Sequence, residues 1–550
     1  MRPLLLTIAL AAAPLAPGAT SFELAAAPLA ATMPAQTKNA CAGAAPYDCA
    51  AAHLARQDIS TSIAILEPLV KAEPRNLKAL NLLGIALTAA GRLDAADARF
   101  REALRVDAAF VPSLKNLALN AFTRDRLTEA ERGFQAVLKL VPEDEVAHLH
   151  LGEIGYLRQD CRAALPHYEK SGARIRLNNA WVVHHASCLL KEKATPRALE
   201  VLTAIPATDG AARFEAGVAL GAAGAFAEAA TFFATARKGL QGERAYEAAY
   251  NQTLMLVNAG DHASAAVAAE EVFAAGGGRG ELYNLASRAY FKLGRIKDAY
   301  DALRTATRLE PEVEEHYVDL AMMCLDLENP DLGMEIVDVG LHHRPASFML
   351  YLQRGVLLAM KAQLGEAEKA FETARSLAPD KPAPYAALAM IWMQTGQTEK
   401  AVERLRAEAR ARPNDHVIPY TFAVALVRSG IDPSAPEANE AVDALQASIL
   451  ANPEFAPARS QLGRLLLRRN DVDGAVRELE KAVALDASAT AALYNLGQAY
   501  NRKGDRQRAS ELLARVSTLN AQERGDDPDG ELKRTVVRIV REGSAVNPAP

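Results

Sequence analysis

The side chains best suited to chemistry in this 550-residue chain are a few histidines and five cysteines. His148, His150 and Glu153 are the residue types that ligate transition metals. On a helix, however, side chains that share an ion sit three or four residues apart, and residues two apart point in different directions. The adjacent pairs His184-His185 and His342-His343 fail for the same reason. No metal site is expected. The chain contains no His-Glu-x-x-His, no Gly-x-Ser-x-Gly elbow and no phosphate-binding loop. Gly276-Gly277-Gly278-Arg279-Gly280 is glycine-rich but lacks the Lys-Ser/Thr that would reach a phosphate, and reads as a joint. Arg524-Gly525-Asp526 is a three-residue match to an adhesion signal inside a charged linker, too short to carry weight. No catalytic residue and no cofactor is expected.

The cysteines are Cys41, Cys49, Cys161, Cys188 and Cys324. In an oxidising compartment they can pair. Cys41 and Cys49 are close in sequence. Cys161 begins one second helix and Cys188 lies in the next first helix, so these two are the second candidate pair. Cys324 falls on an inward position and reads as a small core residue.

The elements that would position these groups are helical. The chain is 50% hydrophobic but only 6% aromatic, which suits helices packed through small residues. Its net charge of −5, with acids and bases interspersed, offers no basic stripe for nucleic acid. At the N-terminus Arg2 precedes an apolar run from Leu4 to Leu15 and then small residues and Pro, the order of a secretory signal. That run is shorter than the roughly 20 residues that span a bilayer. Residues 1–27 are therefore expected to be a signal peptide, with exits at Ala16-Pro17-Gly18 or Ala25-Ala26-Ala27, followed by a flexible segment 28–42. An exported location, periplasmic or secreted, follows, with no membrane-spanning segment in the mature chain.

Overlaying the chain on itself exposes a period of 34 residues. Gly84, Ala118 and Gly152 share it, as do Ala96, Ala130 and Ala164, and Phe100, Phe134 and Tyr168. Ala321, Gly355 and Ala389 repeat it later, and Pro311, Pro345, Pro379 and Pro413 close successive units. Small residues let two helices of a hairpin cross closely. The aromatic on the second helix is expected to pack toward the next hairpin. Pro stops that helix, and Gly91, Asp125, Gly294, Gly396 and Gly504 make the turn within a hairpin. Unit boundaries at 43, 77, 111, 145, 179, 210, 246, 280, 314, 348, 382, 416, 456 and 490 give about fourteen units ending at 523. Residues 43–245 form an N-terminal set, degenerate near 179–245, where Pro196 and Pro206 shorten a unit. Residues 246–523 form a second set with an insertion at 431–437. Residues 524–530 read as a linker. In 531–550, Leu532, Val536, Ile539 and Val540 share one face of a capping helix that precedes the tail.

These marks, above all Asn81-Leu82-Leu83-Gly84 with Ala96, Phe100 and Ala103, and Tyr494-Asn495-Leu496-Gly497 with Tyr500, Ala509 and Leu513, resemble the tetratricopeptide repeat family over residues 43 to 523, in its exported bacterial form. The resemblance implies an all-α fold, a right-handed superhelical solenoid of antiparallel helix-turn-helix repeats, whose first helices line a concave groove. That family's carboxylate grip is represented here only by Asn81, Lys115, Asn284, Arg288, Arg464 and Asn501. The middle units instead place Met322, Leu325, Val356, Met390, Met393, Tyr420, Val424 and Val427 at groove positions. Such a stripe is either an adaptable apolar surface for a protein or peptide segment, or ordinary core. The function expected is a non-enzymatic scaffold or adaptor for protein or peptide partners. A structural component of an envelope assembly or secretion machine is the alternative, and an unrecognised exported enzyme a minor one.

Overall fold

A computed structural model describes residues 44–432 and 435–522. The expected signal peptide 1–27, Cys41, the linker 524–530 and the capping helix in 531–550 lie outside these, as do Pro433 and Ser434 of the insertion.

The described residues form 28 α-helices arranged as fourteen hairpins, and no strand. The chain divides into two compact units at Gly277/Gly278, inside the glycine run and one hairpin later than the sequence division at 245/246. The first unit contains α1 (Pro46–Ala55), α2 (Ile59–Ala72), α3 (Leu77–Ala89), α4 (Leu93–Val106), α5 (Val111–Thr123), α6 (Leu127–Leu140), α7 (Glu145–Leu157), α8 (Cys161–Lys170), α9 (Asn179–Lys191), α10 (Thr195–Leu202), α11 (Gly210–Ala222), α12 (Phe226–Gly239), α13 (Gly242–Ala259) and α14 (His262–Ala274). The second contains α15 (Gly280–Lys292), α16 (Ile296–Leu309), α17 (Glu314–Asp326), α18 (Pro330–His343), α19 (Phe348–Met360), α20 (Leu364–Leu377), α21 (Ala383–Gln394), α22 (Thr398–Ala411), α23 (Val417–Arg428), α24 (Pro436–Ala451), α25 (Ala456–Arg468), α26 (Val472–Leu485), α27 (Thr490–Lys503) and α28 (Arg506–Gln522).

Local chemistry fixes where the helices begin and end. Asn76, Asp144 and Ser347 each accept a hydrogen bond from the amide three residues on, at 2.9–3.1 Å, and so start α3, α7 and α19. Gly91 and Asp125 both take positive φ, +73° and +57°, in the turns inside their hairpins. Gly adopts this region without steric cost, and Asp is among the residues that tolerate it. Pro311, Pro345, Pro379 and Pro413 follow the ends of α16, α18, α20 and α22, where a missing N–H breaks no helical bond.

Within each unit, first helices pack on first helices: α3 on α5, α7 on α9, α17 on α19 and α21 on α23. Second helices do not pack on one another to that extent. The first helices are therefore the inner side of each stack. Across successive hairpins, Arg124 pairs with Asp94 at 2.8 Å and Lys503 with Asp473 at 2.6 Å, and Lys361 pairs with Asp331 at the same register.

The second-helix aromatics meet the next hairpin, Phe134 stacking on His150 and Tyr168 on His185, and they also seat on their own hairpin. Phe100, Tyr168, Phe233 and Phe371 lie on Gly84, Gly152, Gly217 and Gly355 of their own first helices. The missing side chain of the glycine makes the seat for the ring. The degenerate stretch shows as a short α10, entered through Pro196 at its start, and a long α13 that absorbs the slip in register.

Candidate functional site

The apolar stripe lies on α17, α19, α21 and α23. Leu325, Val356, Met390, Met393, Tyr420 and Val424 are buried, with 1–8% of their surface exposed, while Met322 and Val427 are half-buried. The stripe, which the sequence leaves as either groove or core, is thus largely interior. The reason is in the sequence: α21 carries no charge from Ala383 to Met393, and α23 none from Val417 to Val427. Every residue of α21 up to Met393 is buried. A helix that is apolar all round is a core helix.

The polar residues at groove positions are also engaged. Asn81 Oδ1 accepts from Ser113 Oγ at 3.0 Å and Asn116 Nδ2 at 3.1 Å. Lys115 donates to Asp144 at 2.7 Å. Burial works against the charge of Asp144, but Lys115 and the Ala147 and Val146 amides outweigh it and hold the carboxyl below its ordinary value. In the second unit Asn284 donates to Asp319 at 3.0 Å and Arg288 to the same oxygen at 3.0 Å. These side chains tie one first helix to the next, which is why they do not assemble a carboxylate grip.

Partly open aromatic rings lie on first helices of both units; in the second they are Tyr283, Phe291, Phe348 and Tyr351, with Tyr494 exposed. Tyr47, Phe122, Tyr156, Trp181, Phe214 and Tyr250 are all half-buried and sit on α1, α5, α7, α9, α11 and α13. In a chain with only 6% aromatic residues this concentration on one set of helices is a compositional feature that sequence reading overlooked. Phe122 and Tyr156 are 34 residues apart and share a repeat position, and Tyr47, Phe214 and Tyr250 each stand fifth in their units.

Beside them is a polar cluster at α7, α8 and α9. Glu153 is buried and accepts from Tyr168 Oη at 2.7 Å and from His184 Nδ1 at 2.9 Å. Tyr156 stacks on His184 at a ring separation of 4.0 Å, and Tyr168 on His185 at 5.2 Å. His150 stacks on Phe134 at 5.0 Å, meets Trp181 edge-on and donates from Nδ1 to the Val146 carbonyl at 2.8 Å. The Nδ1 atoms of His148 and His167 are 2.9 Å apart, and His148 Nε2 donates to the Pro142 carbonyl. Burial lowers the pKa of His150 and His167, and carries His185 down to about 4. Burial likewise pushes the Tyr168 hydroxyl well above its ordinary value, with the Glu153 charge adding to it.

As expected, His148 and His150 point apart; each finds a different partner. Among the described residues no group of three His, Cys, Asp or Glu side chains could hold a metal ion. Cys161 and Cys188 are bonded, with Cα atoms 4.9 Å apart, tying α8 to α9. Cys49 is also disulfide-bonded, while Cys41, its expected partner, lies outside the described residues. Cys324 is a free, buried thiol whose pKa burial raises to about 11. Among the described residues no helix is long and apolar enough to cross a membrane.

Comparison with known proteins places tetratricopeptide repeats in this chain. Family profiles described as tetratricopeptide repeat match residues 47–110, 280–313 and 490–523, and one described as TPR repeat matches 463–504. A comparison with curated proteins finds no match. Among solved structures, yeast Tom70 is similar at 16% identity and TM-score 0.41, covering 86% of this chain and 96% of its own. The Cut9–Hcn1 hetero-tetramer of the APC/C is similar at 10% identity and TM-score 0.35, covering 91% and 96%. MamA is similar at 22% identity and TM-score 0.26, covering 31% and 95%.

Proposed function

We propose that this protein is an exported, non-enzymatic scaffold that holds segments of partner proteins on the first-helix face of its repeats. The observation that carries the reading is the set of half-buried aromatic rings, Tyr156, Trp181 and Phe214 among them, on successive first helices of the first unit. Aromatic side chains give large contact area at low entropic cost, and they are enriched in the fully buried centres of protein interfaces. Tetratricopeptide repeats in the chain support the same reading, because such repeats present serial helix faces to partner proteins. The apolar stripe around Met322 and Val427 is a second contact only at its two half-open ends.

Export is supported by the order Arg2, apolar run, small residues, and by a disulfide, which persists in oxidising compartments. N-terminal sequencing of the mature protein tests this. A start between residues 17 and 29 is expected, and retention of Met1 in a cytosolic fraction overturns it.

The test of the scaffold reading is co-purification of the full chain with quantitative mass spectrometry, wild type against Tyr156→Ala with Phe214→Ala. Loss of partners with unchanged melting supports it, and an undiminished partner set overturns it. Many substoichiometric partners fit an adaptor, and one stoichiometric complex fits an assembly component.

A further inference from the structure

The chain has eleven histidines, and five of them, His148, His150, His167, His184 and His185, fall between residues 148 and 185. Each bridges two helices. His148 of α7 meets His167 of α8, His150 of α7 meets rings of α6 and α9, and His184 and His185 of α9 meet Glu153 of α7 and Tyr168 of α8. The Cys161–Cys188 bond crosses the same α8–α9 contact. The short α10 follows immediately.

We propose that the junction of the α7–α8 hairpin with α9 is a proton-operated latch: His150, His167 and His185 hold it closed as uncharged rings, and the Cys161–Cys188 bond keeps it closed when they charge.

The geometry supports each part. His148 Nε2–H donates to the Pro142 carbonyl, so in the neutral ring Nδ1 must accept, and His167 Nδ1–H is the donor. That bond already holds a proton between the two Nδ1 atoms, so charging His167 adds its proton at Nε2, where burial opposes it. His185 Nε2 is buried with no hydrogen-bond partner among the described residues, so a proton there is unsatisfied. His150 lies against three aromatic rings, where burial opposes charge.

Neighbouring charges do not cancel this. His150 is faced by Asp144 and Glu153, against Arg174; His167 by Lys170; His185 by Glu169, against Arg197. In all three burial is the largest influence and lowers the pKa. A folded-state pKa below the ordinary histidine value of about 6.5 means that the open state takes up protons first, so the closed junction weakens as pH falls below that value. His184 Nδ1 lies 2.9 Å from the Glu153 carboxylate.

The chain supplies its own reporter. Trp181 lies on α9 in contact with His150, and the second tryptophan, Trp392, is buried in the other unit with Nε1 donating to Glu368. The experiment uses the full chain with Trp392→Phe, with and without Cys161→Ala and Cys188→Ala, following Trp181 emission from pH 7.5 to 4. The disulfide-free protein is expected to red-shift with a midpoint between about pH 4 and 6.5 while helix content by circular dichroism holds, and the disulfide-bonded protein to stay constant. His150→Phe with His185→Phe should flatten the transition, and His185→Phe alone, which keeps the stack on Tyr168, should lower its midpoint. The proposal is overturned if the disulfide-free protein shows no shift, if neither histidine variant changes the transition, or if Trp392 in a Trp181→Phe chain shifts over the same range.

Discussion

Gly152 and Tyr168 are seated on each other: a Cβ on Gly152 would lie 2.8 Å from Cδ1 of the Tyr168 ring. The same glycine-and-ring seat occurs at Gly84, Gly217 and Gly355, and at Gly463 with Leu479 in place of the ring. It sets how closely the two helices of a hairpin approach, and therefore where the first-helix face lies. Gly152→Ala should destabilise the first unit by roughly 1–3 kcal/mol, the usual cost of overpacking. Gly365→Ala, in a helix with open space around it, should be neutral or slightly stabilising. Urea unfolding of the two variants checks this, and equal effects would remove the seat as the determinant.

Gln353 is buried with 1% of its surface exposed, and neither amide atom has a partner among the described residues. An unsatisfied buried polar group costs about 1–3 kcal/mol. Gln353→Leu should therefore raise the stability of the second unit by an amount of that order. A loss of stability would mean that the amide is satisfied in solution.

His185 carries a pKa near 4 because it is buried. Its folded value lies below its unfolded one, so its contribution is fully present above about pH 6.5 and is lost as pH falls toward 4, on the order of 2–3 kcal/mol. His185→Phe should narrow the stability difference between pH 7 and pH 5 in urea titrations. An unchanged difference would contradict the burial argument.

The Cys161–Cys188 bond closes a loop with a sequence separation of 27. Constraining an unfolded loop of that size stabilises by about 3–4 kcal/mol on the chain-entropy account. Cys161→Ala with Cys188→Ala should lose stability of that order, and peptide mapping without reductant should recover the two cysteines cross-linked. Two alkylated thiols in the mature protein would show that the bond does not form.

The hairpins were legible because their marks recur at fixed spacing: Gly84, Gly152 and Gly355 announce close crossings, and Pro311 and Pro379 announce helix ends. What escaped is what does not repeat. His148 meets His167, and Glu153 meets His184, at separations unrelated to the repeat. A linear reading along one helix compares only neighbours three or four residues apart. The same limit explains the groove. Met390 and Tyr420 occupy positions that face inward in the repeat, but the absence of charge along α21 and α23 decided that they were interior. The seat of Phe100 on its own first helix escaped because it requires reading Gly84 as a seat for a ring rather than only as a point of helix crossing.

The central claim is that partners sit on the first-helix face. A photo-crosslinking residue, p-benzoylphenylalanine, placed in the cell at Tyr156 or Phe214 on first helices, and at Gln135 or Thr231 exposed on second helices, tests it most directly. The account predicts discrete crosslinked protein adducts from Tyr156 and Phe214 and few or none from Gln135 and Thr231. Equal adducts at all four positions, or adducts only from the second helices, would contradict it.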